Sequence, residues 1–157
     1  MGYHTDFNGQ FELEFKDLGV QGEVTTLVNG LADTRRVARD NSKLPEGDWG
    51  IEGEFYIVGD NLGVVDSSQP PRTQPELYLQ WVIEERKGNF FLEWNGGEKF
   101  YEYIPWLEYL IDSIFIPNKV ILNGEVTWQG EDCSDIGLIQ IKNNKINIKS
   151  GSISYGD

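Results

Sequence analysis

Two pairs of short segments, each joined by a tight turn, constrain the fold of this chain most. Residues 77–84 and 90–94 flank the turn at residues 86–89, and apolar residues alternate along the first segment. Residues 136–148 are centred on Asn143-Asn144. Asparagine tolerates the positive φ that a two-residue hairpin turn requires. Because alternation with a period of two is typical of half-buried strands, both pairs predict antiparallel hairpins.

The other periodic segments predict three more strands and two helices. Alternation and apolar runs place the strands at residues 10–16, 51–58 and 120–129. Apolar residues at helical spacing predict a helix over residues 21–33, and a second helix has Pro105 in its first turn. Strands and helices do not alternate as in a parallel α/β protein. We therefore predict an α+β fold over residues 1–157, one domain with a largely antiparallel mixed sheet of about seven strands and two main helices.

Charge and composition restrict the partners of the chain. The formal net charge of its 157 residues is −13, whereas ordinary nucleic-acid binding and anionic membrane surfaces call for a basic patch. The N-terminal segment lacks the pattern of a signal peptide, and no apolar run approaches 18 residues. With a single cysteine, Cys133, these features predict a cytoplasmic protein in a bacterial host cytosol. The acidity itself fits simple solubility, a basic partner protein or mimicry of DNA.

Few residues in the sequence suit catalysis or metal binding. His4 is the only histidine, so an ordinary Ser-His or Cys-His pair would have to use it. Acidic neighbours of Cys133 disfavour its reactive thiolate, and the sequence has no zinc cluster, EF-hand or phosphate-binding loop. We therefore predict no catalytic residue, no metal and no cofactor, which favours a non-enzymatic protein. A hydrolase that uses two of the 26 acidic residues stays open.

A cluster of arginines and a cluster of aromatic residues are the candidate ligand-binding features. Three of the five arginines fall within five residues, and eight of the twenty aromatic residues fall within residues 90–110. Arginine matches phosphate oxygens with two parallel hydrogen bonds, and aromatic rings stack on nucleobases. The predicted ligand-binding residues are Arg35, Arg36, Arg39, Trp94, Lys99, Tyr101 and Trp106. The alternatives are surface cations paired with acidic residues, and aromatic rings that only pack the core.

Several motifs along the chain resemble those of a widespread family of small acidic proteins of bacteria and their phages. They are GYHTDFNGQF, TRR, EGEFY, QPPRTQPELYLQW, LEWNGGEKFYEYIPWLEYLI and LNGEVTWQGEDCSDIG. The resemblance covers most of the chain and implies a phage or mobile-element origin. It brings no catalytic residues with it.

These features favour a protein that captures a small anionic, nucleotide-like ligand. In a phage, sequestration of such an immune signal would counter host defence. The alternative is an acidic inhibitor that mimics DNA or occupies a site on a host enzyme. Mimicry is weaker because about 40 Å of duplex carries about 23 phosphates, whereas one face of this chain would offer about 13 carboxylates. Whether the chain forms a homo-oligomer stays open.

Overall fold

The computed structural model describes residues 2–57 and 61–151 as an antiparallel sheet covered by helices. Its strands are β1 (Thr5–Phe15), β2 (Ala38–Arg39), β3 (Val64–Asp66), β4 (Trp81–Arg86), β5 (Asn89–Trp94), β6 (Val120–Gly130), β7 (Ile136–Lys142) and β8 (Lys145–Ser150). Its helices are α1 (Gln21–Ala32) and α2 (Tyr103–Leu110), and α2 continues as a π-helical turn, Ile111–Phe115. The main sheet has the order β4-β5-β1-β6-β7-β8, and β2 pairs with β3. The predicted α+β fold with a largely antiparallel sheet is confirmed.

Both predicted hairpins are present. Trp81 pairs with Trp94 across β4 and β5, and Lys142 pairs with Lys145 across β7 and β8. The β7–β8 turn uses Asn143 and Asn144 with φ of 50° and 67°. Both φ angles are positive, as this type of turn requires.

The core fills the space between one face of the sheet and the two helices. From the sheet it takes alternate side chains such as Phe11, Trp81, Leu92, Leu122 and Ile139, all of them buried. From the helices it takes Val24, Val28, Leu31, Trp106, Leu107 and Leu110. The opposite face presents mostly polar side chains, and no helix among residues 2–57 and 61–151 packs on it; this open face is where the candidate site lies. None of the helices in residues 2–57 and 61–151 is long and apolar enough to cross a membrane.

Helix α1 closes one edge of the sheet through a single side chain. Asn29 donates from Nδ2 to the Ile83 carbonyl at 2.9 Å, and its Oδ1 accepts from the Ile83 amide at 2.7 Å. Asn29 therefore replaces a neighbouring strand beside β4. An unpaired strand edge invites pairing with another chain, and this contact protects it.

The strand predicted over residues 51–58 is not formed. Residues 51–55 run through bends and turns, Gly53 has a φ of 70°, and Val58 lies outside the described residues. The backbone carbonyls of Glu54 and Tyr56 accept hydrogen bonds from the Arg36 guanidinium. Those carbonyls are occupied by a side chain, so they are not free to pair with a strand.

Candidate functional site

Arg36, one of the predicted ligand-binding residues, lies inside the protein. Its side chain is 2% exposed, and its guanidinium donates to Gln74 Oε1 at 3.1 Å and to Thr34 Oγ1 at 2.5 Å. It also donates to the carbonyls of Tyr56, at 3.0 Å, and Glu54. Burial lowers the pKa of Arg36 to about 10. Four donated hydrogen bonds leave this group little capacity for a ligand.

The other two arginines of the cluster face a small cavity of about 280 Å³. Arg39 is buried, lies 4.6 Å from the centre of the Tyr56 ring and donates to the Leu62 carbonyl at 2.5 Å. Arg35 is exposed, donating to the Ser67 carbonyl at 3.1 Å and to the Tyr78 hydroxyl at 2.6 Å. None of the predicted aromatic residues lines this cavity.

The predicted aromatic residues occupy three different environments. Trp106 is fully buried against Tyr109, with ring centres 5.6 Å apart, so it offers no face to a ligand. The Tyr101 hydroxyl accepts a hydrogen bond from the Tyr3 amide at 2.9 Å. Trp94 is half-buried and donates from Nε1 to Gln80 Oε1 at 3.1 Å.

Lys99, the remaining predicted residue, packs against the start of the chain. A Cβ atom added to Gly2 would lie 2.7 Å from Lys99 Cδ. The structure therefore does not bring the seven predicted residues together. Of the predicted aromatic residues, Trp94 lines a cavity away from the arginines, but its side chain lies on the helix side of the sheet, opposite Trp81, with its ring centre 5.3 Å from that of Phe7.

That cavity, of about 700 Å³, runs across the strands on the open face of the sheet, and we call it the cross-strand groove. Its floor follows two rows of paired residues. The first row is Asn8, Thr127, Leu138 and Lys149, and the second is Asp6, Gln129 and Ile136. Trp94 of β5 lies at one end and Lys149 of β8 at the other. Four strand spacings separate these two strands, which corresponds to roughly 19 Å.

Gly137 sits in the floor of the groove for a steric reason. The Trp128 indole lies against it on the helix side of the sheet, so a Cβ atom at this position would overlap the Trp128 ring. Trp128 is held there by a hydrogen bond from its Nε1 to Asp135 Oδ1 at 2.9 Å. Any larger residue at position 137 would displace Trp128 and distort the floor.

The charges on the open face are unevenly distributed. Where the groove crosses β1, Asp6 Oδ1 lies 2.9 Å from His4 Nε2. At the β8 edge, Lys142, Lys145 and Lys149 are exposed, and alternation along the strands places all three on the open face. Within the described residues, none of these lysines forms an ion pair. The β8 edge is therefore locally basic, although the chain is strongly acidic.

The acidic residues, in contrast, are not gathered on one face. Alternation places Glu12 and Glu125 on the open face, whereas Glu23 lies on α1 and Asp112 on the π-helical turn. In residues 2–57 and 61–151, no three His, Cys, Asp or Glu side chains converge as a metal site would require. This distribution gives no support to an extended mimic of DNA.

Several residues of the cross-strand groove were not anticipated from the sequence. Thr127 stands in the strand predicted over residues 120–129, whereas Asn8 and Lys149 lie just outside the predicted segments 10–16 and 136–148 and belong to strands β1 and β8 in the structure. Their juxtaposition depends on the pairing of β1 with β6, which are more than 100 residues apart. No local pattern encodes that register.

No protein-family model, no curated protein and no solved structure matches this chain.

Proposed function

We propose that the protein binds and sequesters a small anionic, nucleotide-like ligand in the cross-strand groove. The observation that carries this proposal is the groove itself, with Trp94 among its lining residues at one end and the exposed ammonium group of Lys149 at the other. The span of roughly 19 Å between β5 and β8 is the distance that a base, its sugar and its phosphate chain would have to cover together. The proposal keeps Trp94 from the predicted residues and replaces the arginines with Lys149.

Each part of such a ligand has a partner of suitable chemistry in the groove. Trp94 is half-buried and would offer the base the exposed part of its indole; full stacking on an aromatic side chain contributes about 1–3 kcal/mol per base in single-strand binders. Side-chain oxygens and amides between the two ends, on Asp6, Asn8 and Gln129, hydrogen-bond with sugar hydroxyls. Lys149 neutralises the phosphate, and Lys145 on the same strand adds to the positive potential.

The biological role that we propose follows from the resemblance to small acidic proteins of bacteria and their phages. A phage protein that captures a nucleotide-derived immune signal would lower the free concentration of that signal and counter host defence. Capture needs no bond to break, which agrees with the absence of a catalytic arrangement in the sequence.

Isothermal titration calorimetry with ADP-ribose and with cyclic dinucleotides tests this function. We expect one of these probes to bind, and Lys149→Gln to weaken its binding about five-fold or more, equivalent to about 1 kcal/mol. Lys87→Gln is the matched control, because Lys87 lies in the β4–β5 turn and its replacement changes the net charge equally. Trp94→Phe should weaken binding while keeping a ring in the same place.

Two results would contradict the proposal. One is the absence of binding for every probe at millimolar concentration. The other is an equal effect of Lys149→Gln and Lys87→Gln, since this would mean that only the total charge of the protein matters.

A further inference from the structure

A second cavity, of about 750 Å³, lies on the helix side of the sheet and is lined mainly by apolar side chains. Leu27 of α1 forms part of it, together with Trp49, Phe55 and Ile57 from the segment after β2. All four side chains are half-buried. We call this cavity the apolar groove, and it shares no residue with the cross-strand groove.

The walls of the apolar groove are fixed by contacts within the protein. Trp49 donates from Nε1 to the Pro45 carbonyl at 2.6 Å, and its ring meets Tyr56 edge-on, with centres 5.2 Å apart. Phe55 stacks on Tyr109 with ring centres 6.4 Å apart. A ligand would therefore meet a preformed surface and would not have to order it, which lowers the cost of binding.

The apolar groove is bordered by negative charge. Glu23 and Asp48 line it, both are exposed, and none of the lining residues that the structure describes is a lysine or an arginine. With a net charge of −13 on the whole chain, the potential around the groove favours a cationic partner.

We propose that the apolar groove docks an amphipathic, basic helix of a partner protein. Apolar side chains of the helix would fill the groove, and its lysines or arginines would lie beside Glu23 and Asp48. A helix is the fitting form, because the groove is lined by side chains of α1, of a loop and of the π-helical turn, and none of its described lining residues lies in a strand. An extended peptide would find no backbone ladder there, whereas a helix satisfies its own backbone hydrogen bonds.

Gly22 leaves open space beside the apolar groove, so a larger residue at this position can test whether the groove is the binding site. It lies in the first turn of α1, lines the groove, and a Cβ atom added to it would meet no other atom within 4 Å. Glycine within a helix costs about 0.5–1 kcal/mol relative to alanine. Gly22→Leu should therefore place a bulky side chain at the groove without destabilising the fold.

The test measures binding of a synthetic Leu/Lys amphipathic peptide, about 16 residues long so that it can form a helix, by fluorescence anisotropy. We expect the double variant Glu23→Gln/Asp48→Asn to weaken binding at least five-fold. The control Glu84→Gln/Glu85→Gln changes the net charge equally on β4 and should weaken binding less than two-fold. Gly22→Leu should abolish binding while the urea midpoint stays the same or rises.

Equal weakening by the two double variants would overturn the proposal, since the peptide would then respond only to total charge. Unchanged binding to Gly22→Leu would overturn it too, because the peptide would lie elsewhere. Lys149→Gln should leave peptide binding unchanged, so this proposal and the proposed capture of a nucleotide-like ligand fail or hold separately.

Discussion

Replacement of Arg36 by lysine distinguishes a structural role of this residue from the predicted ligand-binding role. The guanidinium holds Thr34, the carbonyls of Glu54 and Tyr56, and Gln74 from three separate parts of the chain. A lysine ammonium is compact and cannot donate in the same fork, so we expect it to keep about two of these four hydrogen bonds. Arg36→Lys therefore tests how much stability depends on the full set.

The expected loss follows from the two acceptors that lysine leaves without a partner. Each buried unsatisfied acceptor costs about 1–3 kcal/mol, so Arg36→Lys should lower the free energy of unfolding by about 2–6 kcal/mol. With a urea m-value of about 2 kcal/mol/M, the midpoint should fall by about 1–3 M. Urea unfolding monitored by tryptophan fluorescence measures this shift.

Arg35→Lys is the matched control for Arg36→Lys. Arg35 is exposed and its two hydrogen bonds face solvent, so its replacement should change the free energy of unfolding by less than about 1 kcal/mol. A midpoint for Arg36→Lys equal to that of Arg35→Lys would refute the structural role. If the same variant also lost binding of the nucleotide probe, Arg36 would belong to the ligand site.

Two further predictions concern the sheet edge and the response to acid. Asn29→Ala should lower the free energy of unfolding by about 2–6 kcal/mol, because the buried Ile83 amide and carbonyl both lose their partners. Size-exclusion chromatography should detect association through the exposed β4 edge. Hydrogen bonds from serines two residues ahead lower the pKa of Asp40, Asp66 and Asp132. Since these folded-state pKa values lie below the ordinary value of 3.8, their stabilisation is present above that pH and is lost as the pH falls through the lowered values. The urea midpoint of the natural chain should therefore exceed that of the triple Asp→Asn variant at pH 7, and the difference should shrink towards pH 3; a constant difference would contradict the pKa argument.

The sequence predicts those parts of the fold that local chemistry determines. The hairpin over Asn143-Asn144 follows from two asparagines between alternating segments, and both residues adopt positive φ. Helix α1 ends at Ala32, one residue before the predicted boundary. Its apolar stripe is visible in the sequence and specifies the face that is buried. In both cases, the residues that determine the structure lie within a few positions of it.

The rest depends on contacts between distant residues. The segment at residues 51–58 has the composition of a strand, but Arg36, about twenty positions earlier, takes its carbonyls. The same contacts explain why the arginine cluster resembles a phosphate site in the sequence but does not offer Arg36 to a ligand in the structure. The burial of Arg36 against Gln74 and the backbone of residues 54–56 is a tertiary effect that no local sequence pattern indicates. The cross-strand groove likewise arises from the pairing of β1 with β6.

The acidic net charge of the chain does not exclude an anionic ligand, but it limits how large that ligand can be. At physiological ionic strength, charges are screened beyond about 8 Å, and strands are about 4.8 Å apart. Lys142, Lys145 and Lys149 lie on two adjacent strands, whereas Asp6 on β1 is three strands from β8. A short anion at the β8 edge is therefore governed by the lysines, and the acidic residues of β1 are largely screened from it. A nucleic acid would extend over those acidic residues and be repelled, so we expect this surface to discriminate against a polynucleotide if it binds a nucleotide as proposed.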